Sequence, residues 1–594
     1  MARKPPDTEL IAASSQIIYD NFVRYNNAFH KMTRRAQTRF EQRDWKGHQE
    51  DIAGRVYLYD KSVRRVVLLL RRAMGERISD HALWNEIRTY FGNRLAKVPD
   101  AGFIKTFFNS VTRRIFDTVG IDPQLEFVSS SLEEDIEMAK SLNLRRYPYW
   151  GSIEKIFETI LEDFYFRVPY SDVTVNATRI ADEIVNFMQS QSDKHDDEIL
   201  RFEFIDTFFY QSARAYMIGR IIMKKGILPI VIAFKNTDNG IEVDAVLLAE
   251  NEVSIVFSYT RSYFFADPNS VVGTVHFIHS ILPKKPIDEL YTVLGRLRQG
   301  KTERYRTFFR HLEQTKDKFV HAEGDKGLVM IVFTLPSYDL VFKIMRDKFG
   351  YPKTISQADV VEKYKMVSRH DRAGRLIDTQ EFKNMEFPIN RFSKELLDEL
   401  LNEAAKTVSI VDDNLLFSHV YVERRVRPLN LYIHNVDRRD AELAILDYGQ
   451  CIKDLAQTNI FPGDLLLKNF GVTRHRRIIF YDYDEVSLVT DCNFRDIPEA
   501  DDYIDEMRSD TWYYVGVHDI FPEEFIKFLS MDKELQSLFL QVHGDLLTAG
   551  YWRNIQAMHR AGEVSVVVPY FRPSLLQKQI VQNPPLDSVR SNPR

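Results

Sequence analysis

The spacing of apolar side chains divides this chain into stretches of different period. Ile18, Phe22, Tyr25, Phe29, Met32, Ala36 and Phe40 recur at steps of three and four with Arg and Lys between them. That is the period of a long amphipathic helix whose apolar stripe faces a core. Ile153, Ile156, Phe157, Ile160, Leu161 and Phe164 repeat it behind Ser152, whose hydroxyl can cap the first amide groups of a helix. The first two hundred residues are therefore expected to be mainly helical. From Pro229 the period changes. Ile230 to Phe234, Ile241 to Leu248 and Val253 to Tyr259 read as strands, with turns at Asn236 to Gly240 and at Asn251. Asn239-Gly240 is the clearest hairpin signal, and a small antiparallel sheet should close the N-terminal region.

Gly295-Arg-Leu-Arg-Gln-Gly300-Lys301-Thr302 matches the phosphate-loop pattern G-x-x-x-x-G-K-[ST] letter for letter. A P-loop follows a buried strand, whereas Ile287, Leu290, Leu294 and Leu297 are spaced as on a helix that runs into the motif. The pattern predicts an Arg-rich helical connector, with a domain boundary near residue 315. Beyond it, Ala322-Glu323-Gly324-Asp325-Lys326-Gly327-Leu328 leads into an apolar strand from Val329 to Leu335. After a turn at Pro336 to Asp339 comes a second strand, Leu340 to Ile344, which carries Lys343. Glycines between two strands let backbone N–H groups approach a phosphate without a Cβ in the way. A lysine on the next strand can then reach the phosphate oxygens. His419 to Val422 reads as a further strand that breaks at Glu423 to Leu429. Ala441 to Gln457 reads as a helix with Ile445, Tyr448, Ile452 and Leu455 on one side.

That helix delivers the chain to Asn459-Ile-Phe-Pro-Gly463-Asp464, then Lys468-Asn469, then the apolar run into Tyr481-Asp482-Tyr483-Asp484-Glu485. Phosphoryl transfer needs one carboxylate to accept the attacking hydroxyl's proton and oxygen ligands to hold the magnesium that neutralises the nucleotide phosphates. Asp464 can take the first role, and Asn469 and Asp482 the second. The order of glycines, strand lysine, Asp464, Asn469 and Asp482 is that of a protein kinase. The words differ from the usual ones, because Gly463 stands where His-Arg-Asp has arginine and Asp482-Tyr-Asp484 replaces Asp-Phe-Gly. For the acidic partner of Lys343, Glu362 and Glu381 both remain open.

Composition narrows the setting. A chain of 594 residues is too long for one core. With 44% hydrophobic and 28% charged residues and a net charge of −5, it reads as a globular protein that does not coat nucleic acid. Its two cysteines, Cys451 and Cys492, form no C-x-x-C pair, as expected of a reducing cytoplasm. No apolar run approaches the roughly 18 residues of a membrane span, and the charged start lacks an apolar signal core. A cytoplasmic protein without membrane or nucleic-acid partners is expected, with a disordered tail over 583–594.

Taken together, these residues resemble the isocitrate dehydrogenase kinase/phosphatase family of bacteria over nearly the whole length. The most specific words are Asn459 to Asp464, Lys468 to His475, Tyr481 to Glu485, Tyr421 to Arg425 with Pro428 to Asn430, and Asp371-Arg372 through Asp378 to Phe382. The resemblance implies an α+β chain. A mainly helical regulatory domain over 1–315 with a small antiparallel sheet would precede a bilobal protein-kinase-like domain over 316–582, with its lobes meeting near residue 425.

It implies phosphorylation of a serine on isocitrate dehydrogenase with ATP and Mg2+ or Mn2+, removal of that phosphate at the same nucleotide site with ADP present, and AMP as an allosteric effector. Such an enzyme controls flux between the tricarboxylic acid cycle and the glyoxylate bypass. Carried over residue by residue, Ala322 to Leu328 and Lys343 would bind nucleotide, Asp464 would accept the proton, Asn469 and Asp482 would hold metal, and Asp378 would serve the phosphatase. From the residues alone, Asp378 reads as an exposed loop carboxylate. The short segment after Asp482 argues against control by activation-loop phosphorylation. A non-catalytic nucleotide-binding scaffold and a small-molecule phosphotransferase are the alternatives.

Overall fold

A computed structural model describes residues 7–570 apart from 97, 99, 117, 119, 129–140, 192–197, 259–263, 352, 354, 371 and 499–512. The expected tail at 583–594, Asp371, and Tyr259 at the end of one expected strand lie outside the described residues. The chain forms two compact units. One comprises Met1–Lys316 with the short segments Lys383–Phe387 and Asn414–Ser418; the other comprises Asp317–Phe382, Pro388–Asp413 and His419–Arg594.

The first unit opens with four helices, α1 (Asp7–Glu41), α2 (Trp45–Met74), α3 (His81–Arg94) and α4 (Ala101–Phe116). Their apolar stripes close over a core in which Trp84, Phe91, Phe107 and Phe108 are fully buried. A six-stranded antiparallel sheet follows: β1 (Leu144–Pro148), β2 (Ile199–Ile205), β3 (Phe209–Gln211), β4 (Arg214–Met223), β5 (Ile227–Thr237) and β6 (Gly240–Leu247), in the order β1-β2-β4-β5-β6 with β3 beside β4. Helices α5 (Ile153–Asp163) and α6 (Val173–Ser190) contribute to its core, where Phe157 meets Phe202 edge-on at 5.1 Å. Ser152 caps α5 by accepting from the Lys155 amide at 3.3 Å.

Two sequence expectations are corrected here. The sheet begins at Leu144 rather than after Pro229, and Pro229 lies inside β5 opposite Arg220. Strands β2 and β4 were missed because they are buried over most of their length, which erases the alternation that marks a half-exposed strand. The supposed strand at Val253 to Tyr259 is instead helix α7 (Glu250–Val256), with Glu250 and Glu252 in its first turn. Acidic side chains at a helix N-terminus are stabilising, and Val253, Val256 and Phe257 are buried at helical spacing.

The phosphate-loop look-alike sits in helical structure. Helices α8 (Val271–Ile281), α9 (Ile287–Val293) and α10 (Leu297–Gln314) run through the region, with Gly295 at φ 86° between the last two and Gly300 inside α10. A Cβ at Gly300 would stand 2.4 Å from the Asp288 carbonyl. This glycine therefore serves the close approach of two helices.

A second six-stranded sheet is built mainly from the second unit and includes the short segments Lys383–Phe387 and Asn414–Ser418. Its strands are β7 (Val320–His321), β8 (Met330–Thr334), β9 (Leu340–Met345), β10 (Gln380–Pro388), β11 (Val408–Val411) and β12 (Asn414–Arg424), ordered β10-β12-β9-β8-β7 with β11 beside β12. Helix α11 (Gln357–His370) lies between β9 and β10 in sequence, and α12 (Lys394–Glu403) between β10 and β11. A mostly helical part follows, built on α13 (Leu429–Ile433), α14 (Arg438–Gln457), α15 (Lys533–His543) and α16 (Ala549–Arg560). Its short strands include β13 (Arg427–Pro428), β14 (Ile460–Phe461), β15 (Phe470–Val472), β16 (Ile478–Phe480) and β17 (Ser487–Leu488). No helix among the described residues is long and apolar enough to cross a membrane.

Candidate active site

The loop from Ala322 to Leu328 is the tip of the β7–β8 hairpin. Val320 pairs with Thr334 and His321 with Phe333, and the Ala322 amide donates to the Val332 carbonyl at 3.0 Å. Gly324 has φ 122°, a conformation that side chains with a Cβ rarely adopt. Asp325 lies 3.4 Å from the Lys468 ammonium, which ties the loop to the stretch containing Asn469. Lys326 is held by Glu399 at 3.0 Å and Glu403 at 3.3 Å on α12. Glu323 is exposed and Leu328 is 43% exposed.

Lys343 emerges from β9 and is buried. Its Nζ donates to the Tyr481 carbonyl at 2.8 Å and pairs with Glu423 Oε2 at 2.7 Å. Neither expected partner is used. Glu362 on α11 points into solvent and pairs with Lys365, while Glu381 on β10 meets His419 at 3.2 Å. The expected break at Glu423 is also displaced, because β12 runs on to Arg424. Residues two apart on a strand share a face. Since Tyr421 stands opposite Lys343 in the β9–β12 pairing, Glu423 projects beside it as a diagonal neighbour. Continued alternation past Val422 was the sequence signal that could have found this pair.

Helix α14 sets the next stretch. Its buried Tyr448 donates through the hydroxyl to the Leu465 carbonyl at 2.5 Å, fixing the loop that bears Asp464. Gly463 has φ 92°, and a Cβ there would stand 2.7 Å from the Glu485 Cβ. The arginine usual at that place in a kinase therefore has no room. Pairing of β14 with β17 draws this loop towards Glu485, and the β15–β16 hairpin brings Asn469 to Tyr481, whose amide donates to the Asn469 carbonyl at 3.1 Å. Asn469 Nδ2 donates to Asp464 Oδ1, and the amide's own oxygen can serve a cation.

Burial, and next the charge of Glu485, push the Asp464 carboxyl up to about 6, with Lys353 opposing. Burial and then the adjacent Asp484 raise Asp482 well above the usual carboxylate range, against the pull of Lys343 and Lys353. Lys353 pairs with Asp484 at 3.0 Å and with Glu485. The carboxylates thus outnumber the ammonium groups, which suits a divalent cation. Among the described residues no group of three or more His, Cys, Asp or Glu side chains forms a metal cage. One amide oxygen and one carboxylate, completed by nucleotide phosphates, match the way magnesium is held in phosphotransferases.

Asp378 is buried, 7% exposed, and accepts from Gln380 Nε2 at 3.0 Å. The exposed-loop reading is therefore corrected, and its cause lies three residues earlier. Arg375 is buried and makes a bidentate contact with Asp447, at 2.7 and 2.8 Å, while its Nε donates to Asp454 at 2.7 Å. With the guanidinium anchored, the backbone lies against β16: Phe480 N donates to the Arg375 carbonyl and Ile377 N to the Phe480 carbonyl. The bridge between Leu376 and Phe480 is parallel. Two residues further along each of these two segments stand Asp378 and Asp482. Tyr483, fully buried, donates to the Ile377 carbonyl at 2.8 Å and reinforces the arrangement.

An antiparallel sheet bearing a buried lysine–glutamate pair, followed by a helical part with Asp464, Asn469 and Asp482 on its loops, defines a protein-kinase-like unit. The family model for the regulatory domain of isocitrate dehydrogenase kinase/phosphatase (AceK) matches residues 15–316, and that for its kinase domain matches residues 317–572. This chain belongs to that family.

Relatives bearing the name isocitrate dehydrogenase kinase/phosphatase include one from Anaeromyxobacter sp. (strain Fw109-5), 44% identical over 95% of this chain and 97% of its own. Another, from Xanthomonas campestris pv. campestris (strain 8004), is 43% identical over 95% and 98%. Among solved structures, the Cydia pomonella granulovirus kinase PK-1 matches 46% of this chain and 78% of its own at 11% identity. Its TM-score of 0.18 is too low to bear on the fold.

Proposed function

We propose that this chain is a bifunctional enzyme that phosphorylates a serine of isocitrate dehydrogenase with ATP and removes the phosphate in the same cleft. The observation that carries this reading is the parallel alignment of the Asp378 segment with the strand leading to Asp482. It adds to the kinase constellation a carboxylate that a pure kinase does not need.

In the forward reaction the β7–β8 loop and Lys343 orient the nucleotide phosphates, and Asp464 accepts the serine proton as its oxygen attacks. A base is most effective with a pKa near the working pH, and Asp464 is raised to about 6. Asn469 and Asp482 would hold magnesium, whose charge offsets that of the phosphates. In the phosphatase reaction Asp378 orients a water towards phosphorus and takes its proton as the P–O bond to serine breaks, and protonated Asp464 returns a proton to the departing serine oxygen. AMP as an effector that favours dephosphorylation, and a cytoplasmic location in keeping with the free thiols Cys451 and Cys492, belong to the same reading.

The test is incubation with labelled ATP and purified isocitrate dehydrogenase, followed by a chase with unlabelled ADP or AMP. Label should enter the substrate protein and then leave as free phosphate. Absence of labelling rules out the kinase assignment, and labelling without release rules out the phosphatase.

A further inference from the structure

Glu423 occupies a position that the kinase plan does not give to an acid. In that plan the lysine on the third strand pairs with a glutamate from the following helix, so that movement of the helix makes or breaks the pair. Here α11 meets the site through rings: Tyr364 stacks on Tyr421 at 4.2 Å and touches Tyr483 edge-on at 5.2 Å. The acid comes instead from β12, which is hydrogen-bonded to the strand that carries the lysine.

Glu423 is 1% exposed, and both of its oxygens are used. Oε2 takes the Lys343 ammonium at 2.7 Å and Oε1 takes the Thr379 hydroxyl at 2.6 Å. Thr379 directly follows Asp378. One buried carboxylate thus bridges the lysine of the nucleotide site and the segment that carries Asp378.

We propose that Glu423 is a shared positioning residue. It fixes Lys343 against the nucleotide phosphates without help from α11, and through Thr379 it fixes Asp378, so kinase and phosphatase geometry depend on a single side chain. This deepens the assignment above and rests on it for the role of Asp378. Two consequences follow. Nucleotide binding should be insensitive to loss of the Glu362 charge on α11, and loss of the Thr379 hydroxyl should fall more heavily on dephosphorylation than on phosphorylation.

The experiment compares Glu423→Gln, Thr379→Val and Glu362→Ala with the wild-type chain, measuring affinity for ATP and for adenosine by calorimetry and both reaction rates separately. Glu423→Gln should weaken ATP binding about tenfold, the loss of one charge-assisted contact, and leave adenosine binding unchanged. Lys343 acts only on phosphates, whereas general damage to the fold would weaken both ligands. In Thr379→Val the ratio of dephosphorylation to phosphorylation should fall about fivefold or more, on the scale of one hydrogen bond.

Glu362→Ala should match the wild type throughout. Unchanged ATP affinity in Glu423→Gln, or equal loss for ATP and adenosine, would overturn the proposal. So would a loss in Glu362→Ala. If Glu423→Gln cannot be obtained folded, the ratio in Thr379→Val decides, and an unchanged ratio counts against the bridge. Nucleotide affinity needs no protein substrate, so a wild-type chain that binds ATP but does not label isocitrate dehydrogenase contradicts the functional assignment and leaves the Lys343–Glu423 arm to be judged by itself.

Discussion

Asp464 combines the features a general base needs: a loop fixed by Tyr448, a raised pKa, and an amide neighbour in Asn469 that orients it. Asp464→Ala should lower phosphorylation by about 100-fold or more, since general-base help contributes roughly 10²–10⁴-fold. ATP affinity, measured by titration, should change little, because Lys343 and the β7–β8 loop are untouched. Equal losses in affinity and rate would place Asp464 in binding instead. At this scale the candidate site was legible in the sequence as far as Asp464, Asn469 and Asp482 lie within one local stretch. Glu423, Lys353 and Arg375 were not legible. Each acts on a residue more than sixty positions away, and only the folded sheet and hairpins bring them together.

At the level of elements, the segment ahead of β10 depends on Arg375. Its guanidinium is 4% exposed and matched by Asp447 and Asp454. Removing one partner of a buried ion network leaves uncompensated charge, at a cost of about 3–5 kcal/mol. Arg375→Met should lower the denaturant midpoint accordingly and depress both activities. Arg375→Lys keeps the charge but loses the planar fork, so it should fall between the two. A midpoint unchanged in Arg375→Met would show that the carboxylates find other partners.

Elements with one wet face were readable from their period, α1 and α5 among them. The strands β2 and β4 were not, because burial removed their alternation, and α7 was mistaken for a strand because its Val253, Ile255 and Val256 are β-branched. Gly463 illustrates a further limit: only the contact with Glu485 explains why a glycine replaces the usual arginine.

Across the whole molecule, each unit carries a buried histidine that must stay neutral. Burial holds His48 in the first unit and His543 in the second down to about 4. His543 donates from Nε2 to the Leu446 carbonyl at 3.0 Å, while Nδ1 is buried with no partner among the described residues. Protonation would therefore bury an unmatched donor. The folded pKa lies below the unfolded value of about 6.5, so the unfolded chain takes up the proton first. The stability contributed by each neutral histidine is whole above about pH 6.5 and is lost as pH falls towards 4, by about 3 kcal/mol per histidine. Urea denaturation between pH 7 and 4, followed separately in the two units by hydrogen exchange, should show this loss in both. His543→Gln should flatten the profile of the second unit only.

The central claim is that one cleft adds and removes the phosphate, with Asp378 serving removal alone. The most direct measurement follows labelled phosphate through isocitrate dehydrogenase with the Asp378→Asn variant. Label should enter the substrate at a rate within a few-fold of wild type and then fail to leave on addition of ADP or AMP, release falling by about 100-fold as expected for loss of a general base. Release at the wild-type rate, or equal loss of labelling and release, would contradict it.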